Sequence, residues 1–309
     1  MSNAKLKPLD QQVIVITGAS SGIGLATANL AASKGAKVVL AARSEVALNK
    51  IVSGIRAKGG EALCVYCDVT KRAEVDHLAE KAIETFGRID TWVNNAGLSI
   101  YGRLDEVSEE DSRRLFETNF WGIYYGSLAA LHHIKNKGGA LINLGSEVSE
   151  SVVPLQGMYS VTKHAVKGLT DALRVEFEEV AKFPVSITLI QPTATDTPFP
   201  QHARNYMSQE PKLPDPLDDP NDVAKAILQA AVVPTRYKKV GLMSKVNTLT
   251  AKLAPSLADK VSAKQSNRQQ YEEPPRHAAG TLEEPGESVD GAGQIRGSGG
   301  IDKDKRQIA

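Results

Sequence analysis

The chain is poor in the residues that would tie it to several functional classes. Two cysteines among 309 residues, Cys64 and Cys67, are too few for a disulfide framework. Their C-x-x-C spacing would suit a redox pair. However, Ala62-Leu63-Cys64-Val65-Tyr66-Cys67 reads as a strand, and residues three apart on a strand face opposite ways. Two buried free thiols are therefore expected. The six histidines show no metal-ligand spacing, and no metal is expected. A net charge of only +1 provides no global field to draw nucleic acid or a membrane surface. No apolar run approaches the ~20 residues of a transmembrane helix. The run behind Lys5, Lys7 and Pro8 is too short for a signal peptide, so a cytoplasmic location is expected.

What the chain does have is a 41% hydrophobic content, enough for a sizeable core, and a regular alternation of elements. Val13-Ile14-Val15-Ile16-Thr17 reads as a buried strand. Gly18, Gly22 and Gly24 follow in a G-x-x-x-G-x-G turn around Ala19, Ser20, Ser21 and Ile23, and an alanine-rich helix runs from Leu25 to Lys34. Strand, glycine turn and helix form a phosphate cradle. The glycines let the backbone approach closely, and the helix N-terminus presents N–H groups and a positive dipole end. Further strands are read at Ala36–Ala41, at Ala62–Cys67 leading to Asp68-Val69-Thr70, and at Ile89–Val93. Thr70 is read as the cap of the helix ending at Phe86-Gly87. Strands alternating with helices of ten to fifteen residues imply βαβ units and a doubly wound parallel sheet.

The position about 20 residues beyond the glycine turn decides which dinucleotide fits, since an acid there holds the 2′-hydroxyl of NAD(H). Here Ala42 is followed by Arg43 and Ser44. A guanidinium suits a 2′-phosphate, so NADP(H) is expected and NAD(H) less so.

A helical stretch from Ser108 to Lys137 reads as two helices meeting near Asn119, an amide inside an apolar run. The strand Ala140–Gly145 ends in Ser146. Tyr159 and Lys163 share one face of a helix beginning near Met158. An ammonium beside a phenol favours the phenolate, giving a proton donor and acceptor suited to carbonyl and alcohol interconversion.

In these motifs the chain resembles the short-chain dehydrogenases/reductases. They are Thr17-Gly18-x-x-x-Gly22-x-Gly24, Asp68, Asn94-Asn95-Ala96-Gly97, Asn119, Ser146 and Tyr159-x-x-x-Lys163, in the family's order over about residues 10 to 240. The resemblance implies a Rossmann-type domain with a seven-stranded parallel sheet. It implies that Tyr159 moves the proton, that Ser146 binds the reacting oxygen, and that Lys163 tunes the tyrosine and holds the nicotinamide ribose. Asn119 would hold a water linking Lys163 to solvent. Asp68 and Val69 would meet the adenine. Cofactor contacts would also come from Ser20, Ser21, Ile23, Ser44, Asn95, Ala96, Gly97, Pro192, Thr193 and Thr197. One departure stands out: Pro192-Thr193 where the family has Pro-Gly. Thr193 lacks glycine's freedom at positive φ, so the loop over the nicotinamide is expected to take a different path.

The last strands are Val185–Ile190 and Tyr237–Val240. Between them, residues 192 to 220 hold seven prolines, and Phe199, His202 and Tyr206 are read as one face of a short helix. Residues 8–241 are thus the catalytic domain. A helical extension, 242–262, carries Leu242, Val246, Leu249, Leu253 and Leu257 on one face. That face is expected to dock on the core or a second subunit in preference to a membrane. Pro255 should split the extension. From 263 to 309 only five of 47 residues are Leu, Ile, Val or Phe, and the tail is read as disordered or draped over a partner subunit.

The sequence-level expectation is an NADP(H)-dependent oxidoreductase acting on a small secondary alcohol or ketone, assembled as a homodimer or homotetramer. The apolar candidates Leu98, Ile100, Tyr101, Val148, Val152, Val153, Leu155 and Phe199 suggest a moderately hydrophobic substrate. A non-catalytic NADP(H)-sensing regulator is the alternative, but it has no need of Ser146, Tyr159 and Lys163. An epimerase or dehalogenase on the same site is a third, and Thr197 and Arg43 argue against the dehalogenase.

Overall fold

Val13–Thr17 (β1) is buried along its whole length, as a strand covered on both faces must be. In the computed structural model, which describes residues 4–264, 266–285 and 293–297 (residue 267 by its backbone only), it lies inside a seven-stranded sheet. The other strands are Lys37–Ala42 (β2), Ala62–Tyr66 (β3), Thr91–Asn94 (β4), Gly139–Leu144 (β5), Val185–Pro192 (β6) and Tyr237–Val240 (β7). Their spatial order is 3-2-1-4-5-6-7, and every pair is parallel. Order reverses between β1 and β4, and in open α/β sheets the ligand crevice lies beyond the strand C-termini at such a point.

The period of two along β1 divides its side chains between two cores. Ile14 and Ile16 pack with Leu40, Leu48, Ile142 and Ile227 on one face. Val13 and Val15 pack with Leu78, Trp92, Leu131 and Ile187 on the other. Helices Gly22–Ser33 (α1), Glu45–Ala57 (α2) and Pro220–Ala230 (α7) cover the first face. Arg72–Phe86 (α3), Gly122–Ile134 (α5) and Gly157–Leu173 (α6) cover the second. Glu109–Phe116 (α4) runs into α5 through a π-helical turn, Glu117–Trp121, which contains Asn119. The expected junction is therefore a bulge in a nearly continuous helix, a feature often found at functional sites.

Three local expectations are corrected. Thr70 does not cap α3, whose N-cap position is Lys71; the Thr70 hydroxyl and N–H both donate to Asp68 Oδ1, at 2.8 and 3.1 Å. Phe199 and His202 do form a helical turn, but Tyr206 lies beyond it, and its hydroxyl donates to Asp111 at 2.6 Å. Cys64 is only partly buried, whereas Cys67 is buried and its thiol is pushed up to about 12 by desolvation.

The extension splits where Pro255 predicts, into Leu242–Leu253 (α8) and Pro255–Ala263 (α9). Its apolar row does not dock on the core. Leu242 is 75% exposed and Leu253 72%, while Ser244 and Thr248 are buried. Polar bonds decide the facing: Ser244 Oγ donates to Gln191 O at 2.9 Å and Asn247 Nδ2 donates to Glu147 Oε2 at 2.8 Å. No helix among the described residues is long and apolar enough to cross a membrane. Among the described parts of the tail, Gln269, Thr281 and Leu282 are buried; residues 265, 286–292 and 298–309, on which the disorder expectation also falls, lie outside the described residues.

Candidate active site

The turn from β1 into α1 takes Gly18 to φ 64°, a left-handed conformation that suits glycine. A Cβ on Gly24 would stand 2.2 Å from Gly18 O, so α1 starts this close to the turn only because position 24 has no side chain. Asn95, just past β4, clamps the loop: its Nδ2 donates to the carbonyls of Thr17 and Gly18, each at 3.0 Å. Gly18, Ser20, Ser21, Gly22 and Ile23 then line one end of a single cleft, with Arg43, Ser44, Asp68, Val69, Asn95, Ala96 and Gly97 around it. The positive end of the α1 dipole meets any anion held there.

The other end of the cleft holds Ser146, Tyr159 and Lys163, with Pro192, Thr193 and Thr197 along the wall. Ser146 follows β5 directly, and its Oγ accepts from Val148 N at 3.3 Å. Burial pushes the Tyr159 phenol above its ordinary range, a hydrogen bond with Ser146 pulls it back in part, and the Glu147 carboxylate pushes it up. The expected direction is therefore reversed: desolvation is the largest cause, and Lys163, whose Nζ is 5.6 Å from the Tyr159 ring centroid, donates to Leu144 O at 2.8 Å. Lys163 is itself lowered to about 8 by desolvation.

Asn119 stands behind the cleft rather than in its wall. Its Oδ1 accepts from Leu98 N at 2.8 Å, and its Nδ2 donates to Leu98 O at 2.9 Å and Thr162 Oγ1 at 3.0 Å. The amide thus satisfies the backbone of the segment after β4. A methyl added at Gly97 would lie 3.4 Å from Asn119 Oδ1 and 3.6 Å from Lys163 Nζ, so both polar atoms border one small space.

Thr193 is accommodated without strain. It is not among the residues at positive φ, and its Oγ1 donates to Glu147 Oε1 at 2.9 Å. Glu147 is the functional-site residue that the sequence reading missed. Its carboxylate ties the serine turn to Thr193 and, through Asn247, to α8. Burial raises its pKa against the lowering effect of those two bonds. The available signal was an acid immediately after the candidate serine.

The apolar candidates divide. Leu98, Val148, Val153 and Phe199 line the cleft, and the Phe199 ring lies 5.5 Å from that of Tyr159. Ile100 and Tyr101 are fully buried in the core instead, and Val152 is exposed. Leu155 borders a separate groove beside Leu104 and Pro154. His202, read from the sequence as part of a short helix, lines the cleft, and burial followed by the nearby Arg43 charge lowers its pKa to about 4.

The family model of the short chain dehydrogenases matches residues 12–207, and the chain belongs to that family. It is 46% identical over 274 residues to the uncharacterized oxidoreductase YxnA of Bacillus subtilis, covering 88% of this chain and 77% of that one. At that coverage the likeness extends past the sheet, which ends at Val240. It is 37% identical over 232 residues to the uncharacterized oxidoreductase Lmo0432 of Listeria monocytogenes, covering 70% and 94% of the two chains. Among solved structures, a short chain dehydrogenase/reductase from Burkholderia phymatum in complex with NAD superposes with a TM-score of 0.72 at 28% identity, over 82% of this chain and 96% of that one. An alcohol dehydrogenase from Thermococcus sibiricus complexed with 5-hydroxy-NADP gives 0.65 at 31% identity, over 74% and 94%. The protein is thus an oxidoreductase of the short-chain dehydrogenase/reductase family.

Proposed function

We propose that this chain interconverts a secondary alcohol and a ketone using NADP(H). One observation carries the reading: Ser146, Tyr159 and Lys163 converge at one end of a cleft whose other end is the glycine turn and Arg43. The residues fit a dinucleotide. The left-handed Gly18 and the α1 N-terminus suit the pyrophosphate, Asp68 and Val69 the adenine, and Thr197 and Lys163 the nicotinamide end. A nicotinamide bound there supplies or takes up the hydride.

The protein's own part is to hold the substrate oxygen and move one proton. The Ser146 hydroxyl binds that oxygen. The buried Tyr159 phenol, with its pKa raised, retains its proton at neutral pH and is ready to donate it to the oxygen of a ketone. In the opposite direction it accepts the alcohol proton. Lys163 faces the charge that develops on Tyr159. Leu98, Val148, Val153 and Phe199 leave an apolar wall, which suits a moderately hydrophobic substrate. Arg43 favours NADP(H); of the two solved relatives one is bound to NAD and the other to an NADP derivative, so the preference rests on Arg43.

We further propose a cytoplasmic enzyme, consistent with its free thiols, acting as a homodimer or homotetramer that covers the outward apolar row of α8. The test is a panel of ketones and secondary alcohols followed by the near-ultraviolet absorbance of NADPH. Turnover of one or more members is expected. No turnover across a panel graded by size and hydrophobicity, with NADPH bound, would favour the sensing alternative.

A further inference from the structure

The C-terminal segment returns to the cofactor cleft. Leu282 is buried against Leu98, Ile100 and Leu115, with Tyr159 packed beside them. The three carbonyls around it accept from Arg43. Nη2 donates to Thr281 O at 2.5 Å, and Nη1 donates to Leu282 O at 3.4 Å and Glu283 O at 3.1 Å. Thr281 and Pro285 form part of the cleft wall. Farther along, Gly293 N donates to Ser20 O at 2.8 Å and Gly22 N donates to Gln294 O at 2.9 Å, which pairs the segment with the glycine turn. Arg296 anchors it by ion pairs to Asp196, at 3.8 Å, and to Asp219.

The chemistry of these contacts is informative. Carbonyls orient a guanidinium without cancelling its charge, whereas a carboxylate in the same place would neutralise it. The Glu283 carboxylate is directed at Arg114, 3.4 Å away, which in turn faces Asp68 at 3.6 Å. Arg43 is thereby held in one orientation while its charge stays available to an anion. The same segment touches both groups assigned above to the nucleotide, Arg43 and the glycine turn, where it engages the Gly22 N–H, and Thr281 and Pro285 stand in the cleft wall.

We propose that residues 281–285 and 293–297 are a strap forming the outer wall of the cofactor cleft, which positions Arg43 for the 2′-phosphate and retains bound NADP(H). This rests on the NADP(H) reading above. It also accounts for the composition of the segment. One buried leucine, backbone hydrogen bonds and an arginine anchor hold it, so it needs few apolar residues.

The test uses the full chain. Gly293 has φ 78°, which proline cannot adopt, so Gly293→Pro should lift the strap from Ser20. Arg296→Ala removes the anchor, and the double variant combines both. Dissociation of NADP+ is measured by stopped-flow displacement, affinity by calorimetry, and folding by thermal melting without cofactor. The double variant should release NADP+ about tenfold faster or more and bind it correspondingly more weakly, the scale of one charge-assisted contact, with its melting temperature unchanged. Dissociation at the unmodified rate would overturn the proposal. So would tighter binding by the variant, because the segment would then be a competitor for the site. If the unmodified chain bound neither NADP+ nor NAD+, the cofactor reading itself would fall, and the strap with it.

Discussion

Replacing Arg43 by alanine should separate the two dinucleotides. The side chain stands at the end of β2, beside Ala42, and its hydrogen-bond acceptors there are the carbonyls of residues 281 to 283. Burial lowers its pKa while Asp68 raises it, and a guanidinium keeps its charge well above neutral pH even so. Losing a charge-assisted hydrogen bond costs about 1.5–3 kcal/mol, or roughly ten- to 150-fold in affinity. NADPH should therefore weaken by about that factor in Arg43→Ala. The strap also loses three contacts in this variant, so NADH can share a smaller loss. The ratio of the two losses is what tests the reasoning, and it should be about tenfold or more. Ala42→Asp should go further and invert the preference, since a carboxylate repels the phosphate and accepts from a 2′-hydroxyl. The assay is calorimetric titration of both cofactors against the three proteins. Equal affinities in the unmodified protein, or equal losses in Arg43→Ala, would refute the role given to Arg43.

Two further outcomes follow from the buried charges. Lys163 is lowered to about 8, so its ammonium is lost as pH rises through that value; kcat/KM for ketone reduction should be level near pH 7 and fall above about pH 8. A profile flat to pH 9.5 would contradict this. Glu147→Ala leaves the Thr193 hydroxyl and the Asn247 amide without their acceptor, and should lower stability by about 1–3 kcal/mol in denaturant unfolding, whereas Glu147→Gln, which keeps an acceptor oxygen, should lose less. Equal stability of the alanine variant would show that the carboxylate does not join the serine turn to α8.

Much of the sheet was legible because parallel strands buried on both faces are written as runs rich in β-branched residues, as in Val13–Thr17 and Val185–Ile190. The glycine turn and the Tyr159/Lys163 pair were legible because their spacing is itself the geometry. The facing of α8 was not. Period 3.6 tells which residues share a face, but which face docks depended on a strand-end carbonyl, Gln191 O, and on Glu147. The effect of Thr193 was likewise a matter of a partner from another turn. The strap escaped because composition counts apolar side chains, while backbone carbonyls, which every sequence supplies, hold Arg43. The direction of the Tyr159 shift depended on burial that no spacing reveals.

The central claim is that Tyr159 transfers the proton. Tyr159→Phe removes the hydroxyl that meets Ser146 and keeps the ring beside Phe199 and against the small cluster of Leu98, Ile100, Leu115 and Leu282. The direct measurement is single-turnover oxidation of NADPH by a ketone substrate, compared between the two proteins at saturating cofactor. The account predicts a rate lower by about 10²–10⁴, with NADPH affinity unchanged within about twofold. A phenylalanine variant that keeps most of the unmodified rate would contradict it.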